Sequence, residues 1–136
     1  MPAAGYSGTP LAKKLGFKPG EPLWASGMPA SVKAVLDQEA KPRYLARPAK
    51  ALAAAHIFHV NAAKLEAELE GLRGKLAPDG MIWVSWPKKA AKVETDITED
   101  TIRKVALPMG FVDVKVCAVD ETWSGLKLVI RKALRC

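Results

Sequence analysis

Small polar and basic residues follow three of the strands predicted from the hydrophobic pattern, at the point where each strand ends. They are Ser26, Gly27, Asn61, Lys88 and Lys89. In open α/β sheets, ligands bind beyond the carboxyl ends of the strands, where the strand order reverses. If the three strands are neighbours, these residues share one rim, and its two lysines favour a small anionic ligand. A solvated loop is the alternative interpretation.

Asp96 lies farther along the loop that begins with the two lysines. Its carboxylate could form an ion pair with Lys88 or Lys89, or it could serve as a base. Nothing in the neighbouring sequence marks its ionisation as perturbed. We therefore count Asp96 among the candidate ligand-binding residues, and we predict no catalytic residue.

A pair of carboxylates beside an aromatic ring occurs in the segment Asp120-Glu121-Thr122-Trp123. Asp120 and Trp123 could together bind a cationic or flat group. A tight hairpin turn in which Trp123 covers the core explains the same residues, and we favour that interpretation.

The chain has two histidines, and their spacing argues against a shared metal site. His56 and His59 lie three residues apart in a predicted strand, where successive side chains alternate between the two faces. They should therefore point to opposite sides of the sheet. The sequence contains neither a Gly-x-Ser-x-Gly elbow nor a phosphate-binding P-loop pattern, and Cys117 lies within a strand without a histidine partner. We predict neither a metal nor a cofactor.

Strands and helices alternate along the chain, and these elements must position the rim. The predicted strands cover residues 22–26, 43–46, 53–60, 81–86, 111–119 and 126–131. The predicted helices cover residues 9–16, 29–38 and 61–76, with a fourth that begins at Thr98 and ends at Pro108. This alternation indicates a three-layer α/β fold with a mostly parallel sheet, and the short final link makes the last two strands an antiparallel hairpin. We expect residues 1–136 to form one domain.

Local signals support the predicted helices. Thr9, Asn61 and Thr98 are suitable N-cap residues, and Gly16 suits a left-handed helix exit. The longest helix carries leucines at helical spacing, which predicts one buried stripe: Leu65, Leu69, Leu72 and Leu76.

The bulk composition narrows the classes of function. The 136 residues carry a net charge of +7, and 49% of them are hydrophobic, as in ordinary globular domains. Charge of this sign attracts anions, but the lysines and arginines are spread along the chain, so nucleic acid is disfavoured as a partner. Two cysteines do not form a disulfide framework, and no stretch is long enough for a membrane span. The N-terminus has no basic segment followed by an apolar stretch, so we expect no secretory signal. We expect a cytoplasmic protein without a membrane partner.

Several segments resemble known families. The second half of the chain looks like the C-terminal half of a class I S-adenosylmethionine methyltransferase. The segments that carry this likeness are Leu76-Ala77-Pro78-Asp79-Gly80, the strand that follows it, Gly110-Phe111-Val112-Asp113-Val114 and the final hairpin. Three longer blocks resemble a bacterial family known only as domain of unknown function 3052. They are Gly5–Leu11 with Lys13–Gly16, Trp86-Pro87-Lys88-Lys89, and Val116–Lys127. The resemblance implies a Rossmann-like, methyltransferase-like fold and carries no assigned activity.

The chain departs from true methyltransferases where those enzymes bind their cofactor. Their first strand ends in a Gly-x-Gly-x-Gly loop, whose bare backbone lies against the cofactor. Here the corresponding stretch is Trp24-Ala25-Ser26-Gly27-Met28-Pro29, with one glycine. The second strand should end in an acidic residue, and it offers arginine instead, in Arg43-Tyr44-Leu45-Ala46-Arg47.

These departures favour a non-enzymatic, methyltransferase-like module that does not bind S-adenosylmethionine and instead binds a small anionic ligand or a protein partner. An enzyme with an altered cofactor pocket is the first alternative, and it would use the Lys88–Lys89 rim and Asp96. A weak nucleic-acid binder with a basic surface is the second alternative. The sequence does not predict the oligomeric state.

Overall fold

A computed structural model describes residues 9–135 as one six-stranded sheet with helices on both faces. Residues 5–8 of the first family-like block, and Cys136, lie outside the described residues. The helices are α1 (Leu11–Leu15), α2 (Ala30–Glu39), α3 (Ala62–Arg73) and α4 (Glu99–Ala106). The strands are β1 (Pro22–Ser26), β2 (Arg43–Tyr44), β3 (Leu52–Phe58), β4 (Leu76–Pro87), β5 (Phe111–Ala118) and β6 (Trp123–Ile130). No helix in this range is long and apolar enough to cross a membrane.

The strands lie in the order β2-β1-β3-β4-β6-β5. The pairs β1–β2, β1–β3 and β3–β4 are parallel, whereas β6 lies antiparallel between β4 and β5. This arrangement confirms the predicted fold class, a mostly parallel sheet with a C-terminal antiparallel hairpin. It also confirms that β1, β3 and β4 are neighbours, so their carboxyl ends meet at one edge.

Two apolar layers hold the helices against the sheet. Helices α1 and α2 cover one face, where Leu15, Leu36 and Trp83 are fully buried. Helices α3 and α4 cover the other face, where the predicted stripe of Leu65, Leu69 and Leu72 is buried. A side chain on β3 or β4 therefore reaches one helix pair or the other, according to the strand's alternation.

The N-caps of the longer helices follow the sequence. Asn61 Oδ1 accepts a hydrogen bond from the backbone N–H of Lys64 at 3.0 Å, and Thr98 Oγ1 accepts one from that of Thr101 at 3.2 Å. Both bonds satisfy donors that the first helical turn leaves free. The first helix differs from the prediction because Pro10, and not Thr9, occupies the N-cap position, whereas Gly16 ends that helix with φ of 78° as expected.

The predicted boundaries of four strands are wrong, and one of them is the end of β3, which lies at Phe58 and not at Val60. Leu76 begins β4 by pairing with Leu52, so it does not belong to the helix, and residues 77–80 form an irregularity within β4. Strand β2 is only Arg43–Tyr44. Strand β6 begins at Trp123 because that residue pairs with Pro87. Pairing with a neighbouring strand decided each case, and such pairing is not visible in the local pattern.

Candidate functional site

The carboxyl ends of β1, β3 and β4 form one rim with the turn between β5 and β6. Strand β6 runs in the opposite direction, so its first residue, Trp123, lies at this edge and pairs with the last residue of β4, Pro87. The backbone N–H of Lys88 donates a 2.7 Å hydrogen bond to the carbonyl of Thr122. The structure thus brings together on this edge the strand exits and the hairpin turn that carry the predicted residues.

A lysine-rich segment, residues 88–95, leaves β4 and returns to the exit of β3. We call it the lysine loop; it carries Lys88, Lys89 and Lys92. At its far end, Thr95 Oγ1 donates to the carbonyl of Val60 at 2.7 Å, and the N–H of Asp96 donates to the same carbonyl at 3.3 Å. The lysine loop is therefore anchored at its start to the turn between β5 and β6, and at its end to Val60, which follows β3.

Asp96 acts as a second cap for helix α3. Its Oδ1 accepts a 2.7 Å hydrogen bond from the backbone N–H of Ala62, close to the Asn61 cap. A carboxylate suits the positive end of a helix, so this position explains the residue without any role as a base. The structure places Asn61 and Asp96 together, and Asp96 forms no ion pair with Lys88 or Lys89.

Asp120 organises the turn between β5 and β6. Its Oδ1 accepts hydrogen bonds from the backbone N–H groups of Thr122 at 2.8 Å and Trp123 at 2.7 Å. The indole of Trp123 packs edge-on against Phe58, with ring centroids 5.1 Å apart. Asp120 and Trp123 are thus engaged within the fold, as the turn interpretation requires.

A carboxylate that the sequence did not single out gathers three side chains at the same edge. Glu68 of α3 accepts hydrogen bonds from Ser26 Oγ at 3.0 Å and Trp24 Nε1 at 3.1 Å, and its Oε1 lies 2.6 Å from His59 Nε2. We call these four residues the Glu68 cluster. Burial raises the pKa of Glu68, but hydrogen bonds from His59, Trp24 and Ser26 outweigh burial and hold it below its ordinary value. The carboxylate is therefore ionised at neutral pH.

The Glu68 cluster arises from simple periodicities. Trp24 and Ser26 are two residues apart on β1, so they share the sheet face that α3 covers. Glu68 lies three residues after Leu65 and four before Leu72, within the buried stripe of α3. An acidic residue on a buried stripe was the one available signal for this cluster, and Glu68 was not among the predicted site residues.

The Glu68 cluster orients a histidine and a serine. Ser26 donates its hydroxyl hydrogen to Glu68 and not to His59, so the two residues are not arranged as a serine–histidine nucleophile pair. Nε2 of His59 carries the hydrogen that faces the carboxylate. Nδ1 of His59 has no hydrogen-bond partner among residues 9–135, and it is not one of the side-chain nitrogens that the fold buries completely.

His56 lies on the opposite face from His59, as the strand alternation predicted. Its Nε2 is 2.7 Å from Ser85 Oγ, and both side chains are fully buried on the face that α1 and α2 cover. Burial lowers the pKa of His56 to about 3, so this imidazole is neutral in the folded protein. Within the described part of the chain, no three His, Cys, Asp or Glu side chains are grouped as metal ligands.

Gly27 serves the packing of the chain at the end of β1. Its φ is +66°, and a Cβ at this position would lie 2.9 Å from the carbonyl oxygen of Phe58. Glycine is required because the backbone at the end of β1 lies directly beside the end of β3. The whole connection between β1 and α2 is residues 27–29, and the last of these, Pro29, has no backbone N–H to offer a ligand.

Solved structures share this arrangement of strands and helices. A methyltransferase from Aquifex aeolicus that depends on S-adenosylmethionine superposes with a TM-score of 0.63 at 13% identity, covering 88% of this chain and 87% of that chain. A TehB-like methyltransferase from Corynebacterium glutamicum gives 0.52 at 9% identity, with 94% and 91% covered. The magnesium protoporphyrin IX methyltransferase of Synechocystis gives 0.54 at 13% identity, with 89% and 74% covered.

The chain has the fold of an S-adenosylmethionine-dependent methyltransferase. Identities this low establish the fold and leave the activity open. No protein-family model and no curated protein matches the sequence.

Proposed function

We propose that this methyltransferase-like domain binds a small anionic ligand at the lysine loop and does not bind S-adenosylmethionine. The observation that carries the proposal is that the lysines at the rim have no ion-pair partner. Lys88, Lys89 and Lys92 form no ion pair with any described residue, whereas the nearby carboxylates are largely engaged within the fold.

Each engaged carboxylate at the rim faces donors of the protein itself. Glu68 accepts from three side chains, Asp96 from the N–H of Ala62, and Asp120 from two backbone N–H groups. Glu94 and Glu121 remain exposed, and neither pairs with a lysine. The three lysine ammonium groups therefore have no carboxylate partner among the described residues, and they can donate hydrogen bonds to an anionic ligand.

The exits of β1 and β2 argue against S-adenosylmethionine. The backbone of Gly27 lies against Phe58, so its missing side chain makes room for the protein and not for a cofactor. After β2, residues 45–47 contain no carboxylate that could hold ribose hydroxyls, and they end in Arg47.

The resemblance to the bacterial family of unknown function also supports the rim as the location of the ligand site. Two of its three sequence blocks lie side by side at the rim, because β4 pairs with β6 from Pro87 opposite Trp123 onwards. The remaining block, at the N-terminal end, overlaps α1, and the Leu15 carbonyl of that helix accepts a hydrogen bond from Trp83 of β4. We propose that the chain belongs to this family, and that the protein works in the cytoplasm as its sparse cysteines suggest.

Calorimetric titration with inorganic pyrophosphate tests the proposal. The double variant Lys88→Ala with Lys89→Ala should bind pyrophosphate roughly tenfold more weakly, a change of about 1.4 kcal/mol. Lys18→Ala with Lys50→Ala is the matched control, because it removes the same charge from exposed positions that precede β1 and β3, at the opposite edge. Equal losses of pyrophosphate affinity in the two double variants would mean that binding depends on the net charge of the protein and not on the lysine loop. Either this result or absence of binding by the wild type would refute the proposal.

A further inference from the structure

We infer that His59, held by Glu68, is a further ligand of the anion, so that anion binding takes up one proton. The inference rests on the proposed anion site and adds a residue and a pH dependence to it. The ligand class is a phosphate-type oxyanion, which accepts hydrogen bonds from lysine ammonium groups and from a protonated imidazole.

The position of His59 is fixed by its backbone and by its side chain. Its N–H donates to the carbonyl of Ser85 on β4 at 3.1 Å, two residues before that strand ends. The next residue, Val60, accepts the hydrogen bonds from Thr95 and Asp96 that close the lysine loop. The lysine loop thus ends against the residue next to His59, and it leaves β4 three residues after Ser85, whose carbonyl accepts the hydrogen bond from the His59 backbone.

The chemistry of the imidazole follows from its contact with Glu68. A carboxylate 2.6 Å from Nε2 keeps the hydrogen on that nitrogen and leaves the lone pair on Nδ1. When a proton from water binds Nδ1, the ring becomes a cation that donates through both nitrogens, one to Glu68 and one to the anion. Glu68 stabilises this cation, as a carboxylate does for a catalytic or ligand-binding histidine.

Few other charged groups face His59. Helix α3 presents Glu68 to it, β1 presents the neutral Trp24 and Ser26, and β4 presents only a backbone carbonyl. Asp96, which follows the lysine loop, accepts a hydrogen bond from the N–H of Ala62. The charged residues of the lysine loop itself are Glu94 and the three lysines. Glu68 is thus the charged group that contacts the His59 side chain directly.

Pyrophosphate affinity measured at pH 6 and pH 8 tests the inference. Pyrophosphate itself gains negative charge as the pH rises, which opposes the expected trend, so the wild type is compared with His59→Gln at each pH. The ratio of their affinities should be roughly tenfold larger at pH 6 than at pH 8, because only a protonated imidazole adds a cation and a second N–H donor to the site. Glu68→Gln should also reduce the advantage at pH 6, since it keeps the side-chain shape and removes the charge.

The outcomes separate the two proposals. A ratio that is the same at both pH values, with pyrophosphate still bound, overturns the role of His59 and leaves the lysine-loop site intact. If the wild type binds no pyrophosphate at either pH, the proposed function itself fails. Nitrogen-15 NMR of the two histidines adds a readout without ligand: we expect the hydrogen of neutral His59 on Nε2, and a hydrogen on Nδ1 would contradict the inference.

Discussion

Nε2 of His56 lies 2.7 Å from Oγ of Ser85, inside the core between β3 and β4. The imidazole contacts the rings of Phe17 and Phe58, with centroids 5.9 and 4.3 Å away, and its Nδ1 has no partner among the described residues. A charged imidazole is poorly tolerated at such a site because nothing there replaces its hydration. The pair therefore fixes a neutral histidine within the fold.

Stability should fall as the pH is lowered from about 6.5. The unfolded chain binds a proton at His56 with an ordinary histidine pKa near 6.5, whereas burial lowers the folded pKa to about 3. The stabilisation is complete above the unfolded pKa and is lost between these two values, with a slope approaching about 1.4 kcal/mol per pH unit. Urea unfolding between pH 7 and pH 5.5 measures this slope before most carboxylates titrate.

The variant His56→Phe should flatten that slope. A slope unchanged in His56→Phe would show that another group causes the pH dependence.

The turn between β5 and β6 should depend on one carboxylate. Asp120→Ala removes the acceptor of two backbone N–H groups and should lower the free energy of unfolding by about 1–3 kcal/mol. Glu121→Ala, at the exposed neighbouring position of the same turn, should change it little. Urea titrations of both variants test this expectation, which is contradicted if the two changes have equal effects.

Gly27 offers a test of why the β1 exit needs glycine. Gly27→Ala and Gly20→Ala both place a side chain at positive φ, +66° and +72°, so both should lose roughly 1 kcal/mol from backbone strain. Only the new Cβ at position 27 meets an atom too closely, the Phe58 carbonyl at 2.9 Å, whereas position 20 is open within 4 Å. Gly27→Ala should therefore be clearly the less stable of the two in thermal unfolding. Similar melting temperatures would mean that the backbone at the end of β1 shifts enough to accommodate the new Cβ beside the Phe58 carbonyl.

Much of the fold could be predicted because its signals are local. Alternating strands and helices, the Asn61 and Thr98 caps and the leucine stripe of α3 are readable within a few residues. The boundaries of β4 and β6 could not be predicted, since Leu76 and Trp123 owe their extended conformation to Leu52 and Pro87, which are distant in sequence. Strand pairing is a tertiary property.

The candidate site was predictable only in part. Strand exits place Ser26, Asn61 and Lys88 on one rim, which the parallel order of β1, β3 and β4 makes necessary. The role of Glu68 depends on how α3 lies over β1 and β3, because its three partners come from two other segments of the chain. Ser26 was singled out for its position, yet its contact with Glu68 required the helix packing to be known.

Calorimetric titration of the protein with S-adenosylhomocysteine and S-adenosylmethionine tests the central claim most directly. The single glycine at the β1 exit and the missing carboxylate after β2 predict no saturable heat with either compound, under conditions in which pyrophosphate binds. A saturable heat that accompanies a rise in melting temperature would contradict the account and restore a methyltransferase function to this fold.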